Sequence, residues 1–299
     1  MKRFFTLAAC LFFLSLKFSV AQDSLHVEQA DKQMSRGIHN GFSVMIPQAR
    51  QKDVVNAWKK YIKRGETKAS VENNNNEYQI AGTSLSNISA QPMNVYAQIK
   101  EEDKGIRLTA FFTEDDSIYV SSTLNAERGR SAEKVVKDFA RMQYRLAVEN
   151  ELNKETDNLN KLESEKEDLI NDNEKANKNI NEYERKIDRA KSDISTNESE
   201  QSKRRSDVAN QKEVVRSTTP KTETYDLEDK KLSSLEKELK KLEKENENLH
   251  SDIDGWESDI RQQKINIEKN DDQVKEKKEA ISKQKDHVKD VNEKMLNIR

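Results

Sequence analysis

A seven-residue repeat from Tyr225 onward restricts the fold more than any other feature of this chain. With Tyr225 as position a, the a residues are Tyr225, Leu232, Leu239, Asn246, Ile253, Ile260, Ile267, Val274, Ile281, Val288 and Met295. Only Asn246 among them is polar. The d positions include Leu235, Leu242, Leu249, Trp256, Val291 and Ile298. A strict heptad makes an α-helix with a narrow apolar seam, and a narrow seam needs a partner helix.

A second register begins near Ala147. Its a positions are Leu152, Leu159, Lys166, Asn173, Ile180, Ile187, Ile194, Gln201, Val208 and Val215, and its d positions include Leu162, Leu169, Ala176, Tyr183 and Ala190. It stops at the Ser/Thr/Pro cluster around Pro220. Proline inside a helix costs about 3 kcal/mol and pushes the preceding residue out of the α region. The register does not continue across this break, since Thr222 would be the next a residue and the second series starts at Tyr225. Two long segments joined by a short break predict an antiparallel hairpin, with arms of about 100 Å at 1.5 Å per residue. The competing arrangement is one extended rod that dimerises in parallel. It has to carry Pro220 and a register jump inside a continuous seam.

Polar seam residues set the expected alignment. One antiparallel pairing places Asn173 against Asn270 and Asn197 against Asn246, and its centre falls between Lys221 and Thr222, inside the turn. In it Trp256 faces Ile187, Ile253 faces Ala190 and Leu152 meets Val291. An unpaired buried amide costs roughly 1–3 kcal/mol, so two Asn–Asn layers would fix the register. Asn173, Asn197, Asn246 and Asn270 are therefore expected as register pins, with Trp256 as seam packing and Pro220 as the turn. The alternative is that each amide is merely solvated at the edge of a thin seam. One layer fits badly, because Lys166 meets Lys277 and both stems must reach outward. Gly255 reads as relief of crowding beside Trp256. His250 and His287 fall on flanking, solvated positions.

Composition agrees with long solvated helices. The chain has 299 residues, 36% charged and 33% hydrophobic, and its mean hydropathy is −1.04. Those values are too polar for one compact globule of this length. With 7 Gly and 3 Pro, the chain is also too poor in these residues to be a flexible low-complexity polymer.

Residues 1–21 read as an export signal. Lys2 and Arg3 are a basic start, Phe4–Leu16 is apolar, and Ser19-Val20-Ala21 is a small-x-small cleavage site. The apolar run is too short to span a bilayer. Leu7-Ala8-Ala9-Cys10 resembles a lipoprotein box. Cleavage there would leave Leu11-Phe12-Phe13-Leu14 on the mature chain, so attachment through Cys10 is not expected. The location expected is periplasmic or extracellular. Losing Lys2, Arg3 and Lys17 from 53 basic residues leaves 50 against 55 acidic ones. A mildly acidic, well-mixed chain argues against nucleic acid as a partner. Lys203-Arg204-Arg205 reads as a solvated helix face. The mature chain has no cysteine, which excludes disulfides, thiolate nucleophiles and Cys metal sites.

Residues 22–40 show no clear period and read as a flexible leader, with room for a short helix near Leu25–Met34. His26 and His39 stand there without partners at ligand spacing and are expected to be solvated. Residues 41–130 differ in kind. Phe42, Val44 and Ile46 alternate as a strand before Pro47. Val54, Ala57, Trp58, Tyr61 and Ile62 share one helical face, and Gly65 is the expected stop. Asn73–Asn76 is a loop. Tyr78–Ile80, Val95–Ile99, Ile106–Phe112 and a short Ile118–Val120 follow as strands in an antiparallel meander. The prediction is an α+β head with an antiparallel sheet of four to five strands and one or two helices, followed by a coiled-coil hairpin. Ser131 is the expected N-cap of the next helix, with Val135, Phe139, Met142 and Leu146 as the stripe that packs on the sheet. The arms are then 131–215 and 225–299, with the turn at 216–224.

The runs VVNAWKKYIKRG, EYQIAGTSLSNIS and MNVYAQIKEEDKGIRLTAFF resemble the N-terminal part of uncharacterised secreted bacterial proteins with a small α/β domain and a coiled-coil tail. The resemblance covers about 80 residues of apolar spacing and implies no activity.

No GxSxG, HExxH, P-loop or GxGxxG occurs. At this density of Asp and Glu, paired carboxylates carry no information about acid–base chemistry. No catalytic residue, metal or cofactor is expected, and no small-molecule substrate is evident. The expected role is a non-enzymatic envelope spacer or protein–protein adaptor, whose partner is another protein or a second copy met through the coiled coil. The other reading is a chaperone-like or cell-wall-associated binding module, in which the head binds and the tail oligomerises.

Overall fold

The computed structural model describes residues 25–63, 70–74 and 77–298. The signal segment 1–21, Cys10 and Gly65 lie outside them. Two compact units divide the chain: one runs to Asn158 and resumes at Gln284, and the other is Leu159–Lys283.

The first unit is an α+β head. Its strands are β1 (Val27–Met34), β2 (Gly37–Ile46), β3 (Ser70–Asn74), β4 (Glu77–Thr83), β5 (Met93–Glu102) and β6 (Gly105–Thr113). Helix α1 (Gln51–Lys63) lies between β2 and β3, and α2 (Ala126–Ser217) follows β6. The sheet order is β1-β2-β6-β5-β4-β3, and every pair is antiparallel. Alternation puts Phe42, Val44 and Ile46 on one face with Val95, Ala97, Ile99, Leu108, Ala110 and Phe112. Val54, Trp58 and Ile62 of α1 cover that face, as do Val135, Val136, Phe139 and Tyr144 of α2. Trp58 meets Phe139 edge-on at 4.8 Å between ring centroids. The last helix, α3 (Glu223–Asn297), contributes Val291 to the same core, joined by Ile298 just beyond its end. Burial of each such side chain contributes about 1.5–3 kcal/mol.

Four expectations for the head change. Residues 27–34 form β1 rather than a leader or a helix. Its middle is polar on both faces, so no alternation betrays it; the ladder from Val27↔Val44 to Met34↔Gly37 holds it. Asn73 and Asn74 belong to β3 rather than to a loop. Ile118–Val120 is not a strand: one bridge, Thr113↔Tyr119, stands there, and Ile118 is 68% exposed. The helix starts at Ala126, capped by Asn125, whose Oδ1 accepts from the N–H groups of Glu127 and Arg128 at 3.1 and 3.0 Å. Ser131 is already inside it. The stripe turns accordingly: Val135 and Phe139 are buried, whereas Met142 and Leu146 are 45% and 47% exposed and Ala132, Val136, Ala140 and Tyr144 take the core.

The β5–β6 turn depends on one glycine. Gly105 adopts φ +137°, and a Cβ there would lie 2.3 Å from the Ile46 carbonyl oxygen.

The second unit is a two-helix antiparallel hairpin of α2 and α3. The helices run 92 and 75 residues, and Thr218–Thr222 links them. Pro220 is exposed in this link, Lys221 takes φ 65°, and Thr222 Oγ1 accepts from Tyr225 N–H at 3.2 Å. Ile180, Ile187, Ala190 and Ile194 bury against Ile253 and Ile260, with Tyr183, Leu249, Trp256 and Ile267 packed alongside. Gly255 relieves no crowding, since a Cβ there would meet nothing within 4 Å.

Candidate functional site

The polar residues of the hairpin seam find partners other than those expected. Asn173 Nδ2 donates to Asp271 Oδ1 at 2.7 Å, one residue beyond Asn270, while its own Oδ1 is buried without a partner. A carboxylate is the stronger acceptor and draws the amide away from a second amide. Asn197 is buried and accepts from Gln201 Nε2 at 2.7 Å, one turn along its own helix. That local bond removes its need for Asn246. Among the described residues no hydrogen bond joins Asn173 to Asn270 or Asn197 to Asn246, and the latter of each pair is half-buried. Trp256 is half-buried in the cluster that holds Ile187, and Ala190 and Ile253 belong to that cluster too. The Lys166–Lys277 conflict does not arise. Lys277 Nζ turns to Glu165 at 2.5 Å and holds that carboxyl below its ordinary range.

Toward the turn, the seam changes character. Leu232, Leu235, Leu239 and Leu242 of α3 are half-buried, and the least exposed α2 residues of this segment include the polar Gln201, Arg204, Asp207 and Gln211 beside Val208 and Val215. Arg204 pairs with Glu238 at 3.1 Å, Arg205 with Glu243 at 3.1 Å and Lys212 with Glu236 at 2.9 Å. Gln211 Nε2 donates to the Glu228 carboxylate at 2.8 Å, and Gln201 Nε2 lies 3.4 Å from the Leu242 carbonyl. Arg204 and Arg205 therefore bridge the helices rather than form a merely solvated face. A heptad read on one helix cannot reveal this, because the charges that meet it lie 24 to 38 residues away in sequence.

The head carries a second cluster on the sheet face opposite the helices. Met34, Tyr96, Phe111 and Tyr119 are buried together there. Arg36, in the β1–β2 turn, sits over the Tyr96 ring at 5.2 Å and pairs with Asp116 at 3.1 Å. Asp116 accepts from the Tyr96 hydroxyl at 2.8 Å and from Asn94 Nδ2 at 3.2 Å. His39 stacks on Tyr119 with centroids 3.9 Å apart, so it is not simply solvated, whereas His26 is exposed. Glu77 accepts from Ser35 N–H at 3.1 Å, from the Ser35 hydroxyl, and from Gln98 Nε2 at 3.0 Å.

Burial, reinforced by the Asp116 bond, pushes the Tyr96 phenol well above its ordinary range, and burial pushes Tyr119 up as well. The protonated Tyr96 phenol donates to Asp116, whereas the Tyr119 hydroxyl is buried without a partner. The cluster ties the β1–β2 turn to the 113–119 loop. Composition gave no sign of it; the one cue was a charged turn, Asp115-Asp116-Ser117.

Among the described residues no group of three or more His, Cys, Asp or Glu could hold a metal ion, and no helix is long and apolar enough to cross a membrane. No family model matches the chain, and neither the curated proteins nor the solved structures include a match to it.

Proposed function

We propose that the protein is an exported, non-catalytic envelope protein that acts as a structural spacer or protein–protein adaptor through its helical hairpin. One observation carries this reading. Both helices of the hairpin are rooted in the head core, α2 through Val135, Phe139 and Tyr144, and α3 through Val291. The chain leaves the head at Asn158 and re-enters it at Gln284, so two crossings rather than one join the head to the hairpin. The mildly acidic surface and the signal-like residues 1–21 support a role between proteins outside the cytoplasm.

The test is fractionation of the native cell followed by crosslinking and mass spectrometry. The expected result is a mature chain beginning at Gln22 in the envelope or medium, with crosslinks from hairpin lysines to one protein. An unprocessed chain in the cytoplasm, or crosslinks confined to the head, overturns the proposal. A second reading, a binding head propped by its tail, is favoured by the exposed Met142 and Leu146 on α2. Crosslinks centred on Lys134 and Lys137 would favour it.

A further inference from the structure

Among the described residues the sheet ends on one side in β1, whose one neighbouring strand is β2. The ladder between them runs eight residues without a shift, and β1 contains no proline. Half of the backbone N–H and C=O groups of a strand in this position point away from its single neighbour. The opposite edge, β3, is only five residues long. Proteins usually blunt a long free edge with a bulge, a proline or an unanswered charge. Here the only such device is charge. Glu28 and Lys32 lie on the outer face of β1, and Gln29 and Asp31 lie on the face toward the helices.

We propose that the free edge of β1 is a homotypic interface, in which two copies pair their β1 strands antiparallel about Ala30 and join their sheets into one. The register follows from symmetry. A two-fold axis perpendicular to a continuous sheet pairs only residues that point to the same face. With Ala30 on the axis, Glu28 stands opposite the partner's Lys32, and the symmetric pair repeats it. Gln29 then faces the partner's Asp31, also twice. The centre is the small Ala30, and Val27–Gln33 are covered.

Neighbouring registers are worse. An axis on Asp31 sets that carboxylate against the partner's Asp31. An axis on Gln29 leaves Glu28 opposite the partner's Ala30 and Lys32 opposite the partner's His26. In the single chain Lys32 reaches Glu28 along its own strand at 3.4 Å, with both side chains substantially exposed. That contact is weak enough to exchange for the cross-strand pair. Pairing of this kind would place two hairpins in one particle and make any hairpin partner bind bivalently. The interface does not depend on the spacer reading.

Sedimentation velocity on residues 22–299, from about 5 to 200 µM, tests the interface. The expected result is a reversible monomer–dimer equilibrium. Lys32→Glu and Glu28→Lys each place like charges opposite one another twice, and each should weaken dimerisation about tenfold. The double variant E28K/K32E restores complementarity and should return the association to within about threefold of the parent. Unchanged circular dichroism and melting of each variant confirm that the monomer is intact. A parent that stays monomeric at 200 µM overturns the proposal. So does a dimer indifferent to both single reversals, which would place association on the hairpin or on the Met142–Leu146 face. Single variants that weaken without rescue by the double variant overturn the register.

Discussion

The head and the hairpin bury the same kinds of residue under different constraints. In the head, Trp58, Phe42, Ile46 and Phe139 are 0% exposed, enclosed between a sheet and helices. In the hairpin, Ile187 and Ile260 retain 7% and 9%, because one helix alone covers them. The distal seam goes further and closes on Arg204–Glu238, Arg205–Glu243 and Lys212–Glu236 around half-buried leucines. The difference teaches that a clean hydrophobic period measures regularity, not depth of burial. The segment easiest to read in the sequence is the one whose individual side chains contribute least.

Truncation is the strongest way to break this comparison. Phe139→Ala should destabilise the head by about 3–5 kcal/mol, since the hole opens beside Trp58 and Tyr61 in a fully buried site. Gly105→Ala should follow at about 2–3 kcal/mol, because it combines a left-handed φ with a clash on the Ile46 carbonyl. Ile187→Ala in the seam should fall near the low end of core truncations, about 2 kcal/mol, since solvent reaches part of the site. Chemical denaturation followed by Trp58 fluorescence for the head, in a Trp256→Phe background, and by helical circular dichroism for the hairpin would rank them. An Ile187→Ala loss as large as that of Phe139→Ala would erase the distinction.

The pH response sharpens it, because the head carries raised phenols at Tyr96 and Tyr119, whereas lowered carboxylates occur in both units. Tyr96 and Tyr119 have raised pKa values in the folded head, so their contribution is present below about pH 10, the ordinary phenol range, and is lost as pH rises beyond it. In the hairpin, Glu165 is lowered by its bond to Lys277, and Glu228 by its bonds to Lys231 and Gln211. Their contribution is present above the ordinary carboxylate range and is lost as pH falls below about 4. Thermal melts between pH 3 and 11, with the same two probes, should show alkaline loss in the head and acid loss in both units, since Glu102 and Asp115 of the head are lowered as well. The smallest effect expected is a gain. Gly255→Ala fills open space in a helix interior and should stabilise the hairpin by about 0.8–1 kcal/mol.

Legibility in the sequence follows the same division. The two registers beginning at Leu152 and Tyr225 announced α2 and α3, and Pro220 announced the turn, because a helix paired along its length imprints its period on every seventh residue. The core strands β2, β5 and β6 were legible from alternation. Strand β1 was not, because an edge strand polar on both faces is held by backbone bonds that leave no trace in residue type. Nor were the capping role of Asn125, the outward turn of Met142 and Leu146, or the Arg36–Asp116–Tyr96 cluster. The Asn125 cap is local, but Ser131 is as good a cap by residue type, whereas the other two depend on groups brought together from distant positions.

The sequence by itself determined that this chain makes a small α+β head and a long antiparallel hairpin, since local period and one proline suffice for both. The tertiary structure decided who meets whom: Asn173 with Asp271 rather than Asn270, Asn197 with Gln201, and Lys277 with Glu165. The reason is physical. Apolar burial is non-directional and leaves a periodic signal, whereas a hydrogen bond or ion pair goes to whichever acceptor lies within about 3 Å, and only the folded chain sets that distance.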